Sequence, residues 1–232
     1  MISVREIKDS LLHLLFPNIC AGCGAELANN NTVLCMKCVD DLPETNFELH
    51  PNNPVEKKFW GRLQLTSATA QYYLGGESLI KRLIHQFKYR GNKELGLQLG
   101  RMMGDSLARS GRFKADALIP LPLFDSKEKK RGFNQSTLLC EGMAEHLEVP
   151  VLKNVIRRSV FTDTQTKKGR IERWMNMEGK FVLNDPGIIA GKHVILVDDV
   201  VTTGATLEAC GSELLKATDT QLSIATLCYA GQ

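Results

Sequence analysis

Val194-Ile195-Leu196-Val197-Asp198-Asp199-Val200-Val201-Thr202-Thr203-Gly204-Ala205-Thr206 decides how the chain is read. Val194 to Val197 predict a buried strand, too short and too rich in β-branched side chains for a helix. Two carboxylates follow at its end, and a hydroxyl-rich turn then opens a helix from Leu207 to about Ala217. Ligands of open α/β sheets bind outside the carboxyl ends of the strands, and a helix N-terminus there offers N–H groups to an anion. Three threonine hydroxyls and a glycine suit a phosphate monoester, and the two acids suit the vicinal hydroxyls of a ribose. Ribose 5-phosphate fits the whole run.

The run resembles the phosphoribosyl diphosphate (PRPP) loop of type I phosphoribosyltransferases, over residues Asp198, Asp199, Val200, Val201, Thr202, Thr203, Gly204, Ala205 and Thr206. An acidic β–α turn capped by Thr202 or Thr203 accounts for parts of it, but not for its full order.

At 232 residues the chain has room for one or two domains. Its net charge of +3 is too small to identify a partner. No apolar run approaches the ~20 residues that span a bilayer. Leu11 to Phe16 follows balanced charges and lacks a small-residue cleavage site, so it does not read as a signal peptide. The spacing of Val4, Ile7, Leu11, Leu14 and Leu15 predicts an amphipathic helix that docks on its own protein in preference to a membrane. A cytoplasmic protein is expected, with peripheral association at the inner face of the membrane left open.

Cys20-x2-Cys23 and Cys35-x2-Cys38 form paired C-x2-C motifs with eleven residues between them. Two such pairs complete a tetrahedral sulfur shell around Zn²⁺, with no position left for water, so the expected zinc is structural. Gly24 permits the tight turn such a site needs. A dithiol redox centre is the rival for either pair alone; their proximity favours zinc. Without a secretory signal, disulfides are not expected. Cys140, Cys210 and Cys228 read as buried, inert thiols.

From Leu42 to Arg62 the chain is polar and proline-bearing, and reads as a linker or irregular connection. Strands are expected at Leu65–Leu74, Ala115–Pro120, Phe181–Leu183 and Gln221–Cys228, and helices at Glu77–Tyr89, Lys93–Arg109 and Asn134–Leu147. Strands alternating with helices predict a mostly parallel sheet with flanking helices. The expected organisation is a helix, four-cysteine zinc-ribbon module and linker over residues 1–62, and an α/β phosphoribosyltransferase-like domain over 63–232.

Further stretches narrow the family: Leu15-Phe16-Pro17, the four cysteines, Phe87-Lys88-Tyr89-Arg90-Gly91, Pro120-Leu121-Pro122, Arg131-Gly132-Phe133-Asn134-Gln135-Ser136, and Thr164-Gln165 with Arg173, Asn176 and Phe181. In this order, from about Leu11 to Tyr229, they resemble the ComF family of competence-associated phosphoribosyltransferase-like proteins, with its GntX-type relatives. The resemblance implies a role in natural transformation, with single-stranded DNA and DNA-uptake or helicase proteins as partners. It also keeps open a ligand role for Lys88, which could otherwise simply complement its helix C-terminus.

PRPP needs a cradle for its monophosphate, acceptors for its ribose and cations for its diphosphate. Thr202 to Thr206 supply the first and Asp198 and Asp199 the second. The diphosphate arrives with Mg²⁺, held mostly by phosphate and water oxygens. The expected diphosphate loop follows the strand ending at Pro120 and contains Pro122, Arg131, Gly132, Asn134 and Gln135. Lys127, Lys129, Lys130 and Arg131 would neutralise the leaving group, so Asp198, Asp199 and Arg131 are the candidate catalytic residues. Residues 160–175 are the candidate lid, through Gln165, Lys167, Lys168, Arg170 and Arg173; a solvated loop is the equal alternative. Arg157-Arg158 reads as a solvated pair.

The turn has no carboxylate between Asp199 and Glu208, and Thr202 stands where purine-salvage enzymes of this fold carry one. That argues against hypoxanthine–guanine salvage and leaves the acceptor undefined. The alternative is a non-catalytic single-stranded DNA binder, in which PRPP is a regulator or vestige. There the basic residues would track the backbone while Phe124, Phe133, Phe161 and Trp174 stack bases.

Overall fold

The structure, a computed structural model, describes residues 18–28, 32–89, 91–158 and 181–231. The helix expected around Val4–Leu15 and the candidate lid lie outside the described residues.

Strands β1 (Ser67–Tyr73), β2 (Ala117–Pro120), β5 (His193–Val201) and β6 (Gln221–Tyr229) form one parallel sheet in the order β1-β6-β5-β2. Burial on both faces explains the apolar runs of β2 and of Val194–Val197 in β5. Alternate residues of β5 divide between two cores: Ile195 and Val197 on one face, Val194 and Leu196 on the other. Helices α3 (Leu79–Tyr89), α4 (Lys93–Ser110) and α6 (Gln135–Leu147) cover the first face. Helices α2 (Pro54–Phe59) and α7 (Ala205–Leu214) cover the second. A separate antiparallel pair, β3 (Ile156–Arg158) with β4 (Phe181–Leu183), adds Ile156 and Phe181 to that second core.

Glycine brings α4 and α6 into backbone contact. A Cβ on Gly100 would lie 2.4 Å from the Leu139 carbonyl oxygen, and one on Gly142 would lie 2.2 Å from that of Leu97. Contacts so short leave no room for any larger residue.

The structure departs from the sequence expectations in four places. First, β5 does not stop before the acids: Asp198 pairs with Thr226, Val200 with Cys228 and Val201 with Tyr229. The parallel ladder carries the polar pair beyond the end of the apolar run.

Second, the stretch from Leu42 to Arg62 is folded onto the sheet. Thr45 N–H donates to the Gln71 carbonyl, a 3₁₀ turn covers Phe47–Leu49, and Asn53 caps α2 by accepting from Val55 and Glu56 N–H. Phe47, Val55 and Phe59 are buried. Third, Asp125–Arg131 is a short helix, α5, closed by Gly132 at φ 78°, and not an open loop. Fourth, Arg157 and Arg158 lie in β3.

The cysteine module rests on α3. Leu27, Leu34 and Leu42 share a core with Ile80, Leu83 and Ile84, and Gln86 Nε2 donates to the Ala21 carbonyl at 2.8 Å.

Candidate functional site

Two centres emerge. At the N-terminal one, the turn through Gly24 (φ 77°) and helix α1 (Met36–Asp40) bring Cys20, Cys23, Cys35 and Cys38 together. Their four sulfurs lie within 4.8 Å of one another, and Sγ of Cys23 and Cys35 are 3.7 Å apart. A tetrahedron of about 2.3 Å Zn–S bonds has edges of about 3.8 Å, so the cluster matches that shell. Cys20 Sγ accepts from the backbone N–H of Gly22 and Cys35, at 3.4 and 3.3 Å. Burial opposes ionisation of Cys20, but N–H groups of Cys35, Cys23 and Gly22 outweigh it and bring the thiol down to about 6. This is the electrostatic setting a thiolate ligand needs.

The second centre lies on the carboxyl edge of the sheet. Asp198 and Asp199 point to different partners, as successive residues of a strand do. Asp198 Oδ1 accepts from Ser136 Oγ in the first turn of α6 at 3.1 Å. Asp199 Oδ2 is 2.5 Å from Nζ of Lys88, in the last turn of α3. Asp199 is 14% exposed and Lys88 20%, so this pair is screened less than a surface salt bridge. Burial, then the Asp199 charge, pushes the Asp198 carboxyl up to about 7, against the pull of Ser136 and Lys88.

Thr202 and Thr203 form the exposed turn after β5, and Gly204 precedes α7 with φ 81°. A Cβ there would come within 2.9 Å of the Phe59 ring, so the floor of the turn is occupied by α2. Arg62 donates to the Thr203 carbonyl at 3.4 Å and pairs with Glu208. The first-turn N–H groups of α7 lack intrahelical acceptors and face the same edge.

The expected diphosphate residues divide by burial. Asn134 is a buried brace: its Nδ2 donates to the Leu121 carbonyl and its Oδ1 accepts from Ser136 N–H, which sets Ser136 against Asp198. Gln135 is 2% exposed, accepts from Arg131 at 2.6 Å, and leaves Nε2 without a partner. Lys127, Lys129 and Lys130 are exposed on α5, while Arg131 lies over the Tyr89 ring. Pro122 lines a cleft of about 720 Å³ that continues to Lys93, Lys153, Arg157 and Arg158.

Sequence reasoning missed two groups. The Lys88–Asp199 pair joins residues far apart in the chain, and the Phe-Lys-Tyr-Arg-Gly stretch was its sole signal. Arg158 is no solvated cation: its guanidinium sits 4.0 Å from the Phe124 ring centre and 5.1 Å from that of Phe181, and its buried Nε has no partner. Phe133, a candidate for base stacking, is core and stacks on Phe87. Phe161 and Trp174 lie outside the described residues. Cys140, Cys210 and Cys228 are fully buried, and burial raises all three thiols. No helix among the described residues is long and apolar enough to cross a membrane.

Residues 134–232 match the phosphoribosyl transferase domain family. The chain is 31% identical over 215 residues to the DNA utilization protein YhgH of Escherichia coli O157:H7, covering 90% of this chain and 89% of that protein. It is 27% identical to competence protein F of Haemophilus influenzae, covering 88% and 87% of the two chains. Competence protein ComFC of Bacillus subtilis matches at 32% over 139 residues, 60% of this chain and 54% of that one. With its parallel sheet, Thr-Thr-Gly turn and four-cysteine module, the chain belongs to the ComF family of proteins with a phosphoribosyltransferase domain.

Proposed function

We propose that the chain binds PRPP with Mg²⁺ at the carboxyl edge of its sheet and transfers ribose 5-phosphate to an unidentified acceptor, in the handling of imported single-stranded DNA. The observation that carries this reading is the braced acid pair, Asp198 on Ser136 and Asp199 on Lys88, directly before the Thr202–Thr206 turn.

The 5-phosphate takes hydroxyls of the turn and N–H groups of α7, where the helix dipole favours an anion. Asp198 and Asp199 accept from the ribose hydroxyls. Lys88 limits the negative charge that a polyanion meets on approach. Carboxylate and phosphate oxygens suit a hard cation, and bound Mg²⁺ supplies neutralisation of the diphosphate leaving group. Arg131 and the α5 lysines add positive charge on that side. Glu208 is engaged by Arg62, so the turn offers no free carboxylate as an acid or base toward a purine. At the N-terminal module, Cys20, Cys23, Cys35 and Cys38 hold a structural Zn²⁺.

Isothermal titration of PRPP with Mg²⁺ tests the reading. Wild type binds, Asp199→Asn weakens binding, and Gly204→Val, which drives a side chain into Phe59, abolishes it. Equal affinity in all three rules the site out.

A second reading, DNA binding without transfer, is favoured by the exposed lysines of α5. Each phosphate neutralised on a single strand contributes about −0.7 to the slope of log affinity against log salt. Lys129→Glu with Lys130→Glu then flattens the slope, and an unchanged slope removes α5 from the interface.

A further inference from the structure

The sheet edge that carries the phosphate-type turn also carries an aromatic and basic surface, separate from the turn and the acid pair. Tyr73 and Tyr229 end β1 and β6 and are register partners, and Tyr229 is also the partner of Val201, the last residue of β5. The backbones of Tyr229 and Tyr73 therefore stand one and two strand spacings, about 5 and 10 Å, from the strand that enters the turn. Their rings meet edge to face at 6.3 Å, with Phe47 packed beneath both at 5.4 and 5.7 Å.

Helix α2 lies beside them. Lys58 Nζ sits 5.0 Å from the Tyr229 ring centre, and Lys57 Nζ sits 6.0 Å from that of Trp60. Trp60 is 59% exposed and Tyr73 44%. A lone exposed ring needs no explanation. Here Tyr73 and Tyr229 pack together with Lys58 against the second ring, and Lys57 and Trp60 pair at the C-terminal end of α2. Helix α2 touches the turn through Phe59, with Arg62 just beyond the helix.

We propose that Lys57, Lys58, Trp60, Tyr73 and Tyr229 form a stacking surface for the unpaired bases of a single-stranded nucleic acid. Planar rings alternating with cations match a ligand that alternates flat bases with phosphates. A peptide partner would be expected to meet a more continuous apolar face. Each lysine rests over a ring that a base can occupy, and a phosphate replaces the ring as its partner. The surface lies across the sheet from α5 and stands whether or not PRPP binds, since none of its five residues belongs to the turn or the acid pair.

The test uses the full chain carrying Trp174→Phe, so that Trp60 is the sole tryptophan. Oligothymidylate is titrated while tryptophan fluorescence and the anisotropy of a labelled strand are read. Stacking predicts quenching of Trp60, and Trp60→Ala in the wild-type chain lowers affinity about fivefold or more. Lys57→Glu with Lys58→Glu flattens the salt slope by about 1.4, two contacts at about 0.7 each. A duplex of equal length, its bases already stacked, binds more weakly. PRPP titration of these variants stays at the wild-type level, which separates this surface from the PRPP reading. Inorganic polyphosphate quenching Trp60 as strongly as the oligonucleotide would overturn the stacking account. So would unchanged strand affinity in both sets of variants, or concentration-dependent self-association abolished by Trp60→Ala with no strand binding.

Discussion

Replacing Asp198 by Asn should stabilise the ligand-free protein while damaging its site. The Asp198 carboxyl titrates near 7 in the folded chain, against an ordinary value of 3.8. A carboxyl whose folded pKa is raised contributes stability that is complete below about pH 4 and lost as pH climbs toward 7. Between those limits the penalty for ionising it approaches about 4 kcal/mol, at about 1.36 kcal/mol per pH unit. Asp198 is only half-buried as a residue and its titration is coupled to the Asp199 charge, so about 2 kcal/mol is the working figure. Asn keeps the oxygen that accepts from Ser136 and removes the charge. For a chain of this size that corresponds to a Tm gain of roughly 4–8 °C at pH 8. The assay is thermal unfolding of wild type and Asp198→Asn at steps from pH 4.5 to pH 8.5. The difference should be smallest at the acid end, where part of it is already present because pH 4.5 lies above the ordinary carboxyl value, and grow toward neutrality. A variant equally or less stable at pH 8.5 refutes the assigned environment of Asp198.

Other outcomes follow from the same geometry. Lys88→Gln leaves two adjacent carboxylates without their cation, so the pH midpoint for PRPP binding should move upward, with Lys88→Arg restoring part of it; an unmoved midpoint removes Lys88 from the site. Metal analysis should find one zinc per chain, and Cys38→Ser should lower it and loosen the module on α3; less than half an equivalent in wild type contradicts the zinc assignment. Gly142→Val must push α6 from the Leu97 carbonyl and should destabilise by about 3 kcal/mol or more, read as a lower denaturation midpoint; an unchanged midpoint would show that the two helices can separate freely.

What was legible in the sequence followed from local chemistry. A four-residue apolar run, two acids and a Thr-Thr-Gly turn announce a strand, a candidate site and a helix because each constraint acts within a few residues. Two C-x2-C pairs announce a cluster for the same reason. The extension of β5 to Val201 was hidden because Asp198 and Asp199 end the apolar pattern, while the ladder with β6 does not depend on side chains. Helix α2 was masked by its prolines, although Asn53-Pro54 is a legitimate helix start, a cap followed by proline in the first turn. Strand β3 is three residues long, too short for any period to show. Lys88 meets Asp199 only when α3 is brought beside β5, and Arg158 meets Phe124 and Phe181 only when β3 is folded against them, and no local pattern encodes either contact.

The most direct test of the central claim is a crystal structure of the protein grown with PRPP and Mg²⁺. The account predicts the 5-phosphate on the Thr202–Thr206 turn at the N-terminus of α7, the ribose hydroxyls on Asp198 and Asp199, and the diphosphate turned toward Arg131. Clear density for PRPP elsewhere on the chain, or an empty turn at saturating ligand, would contradict it.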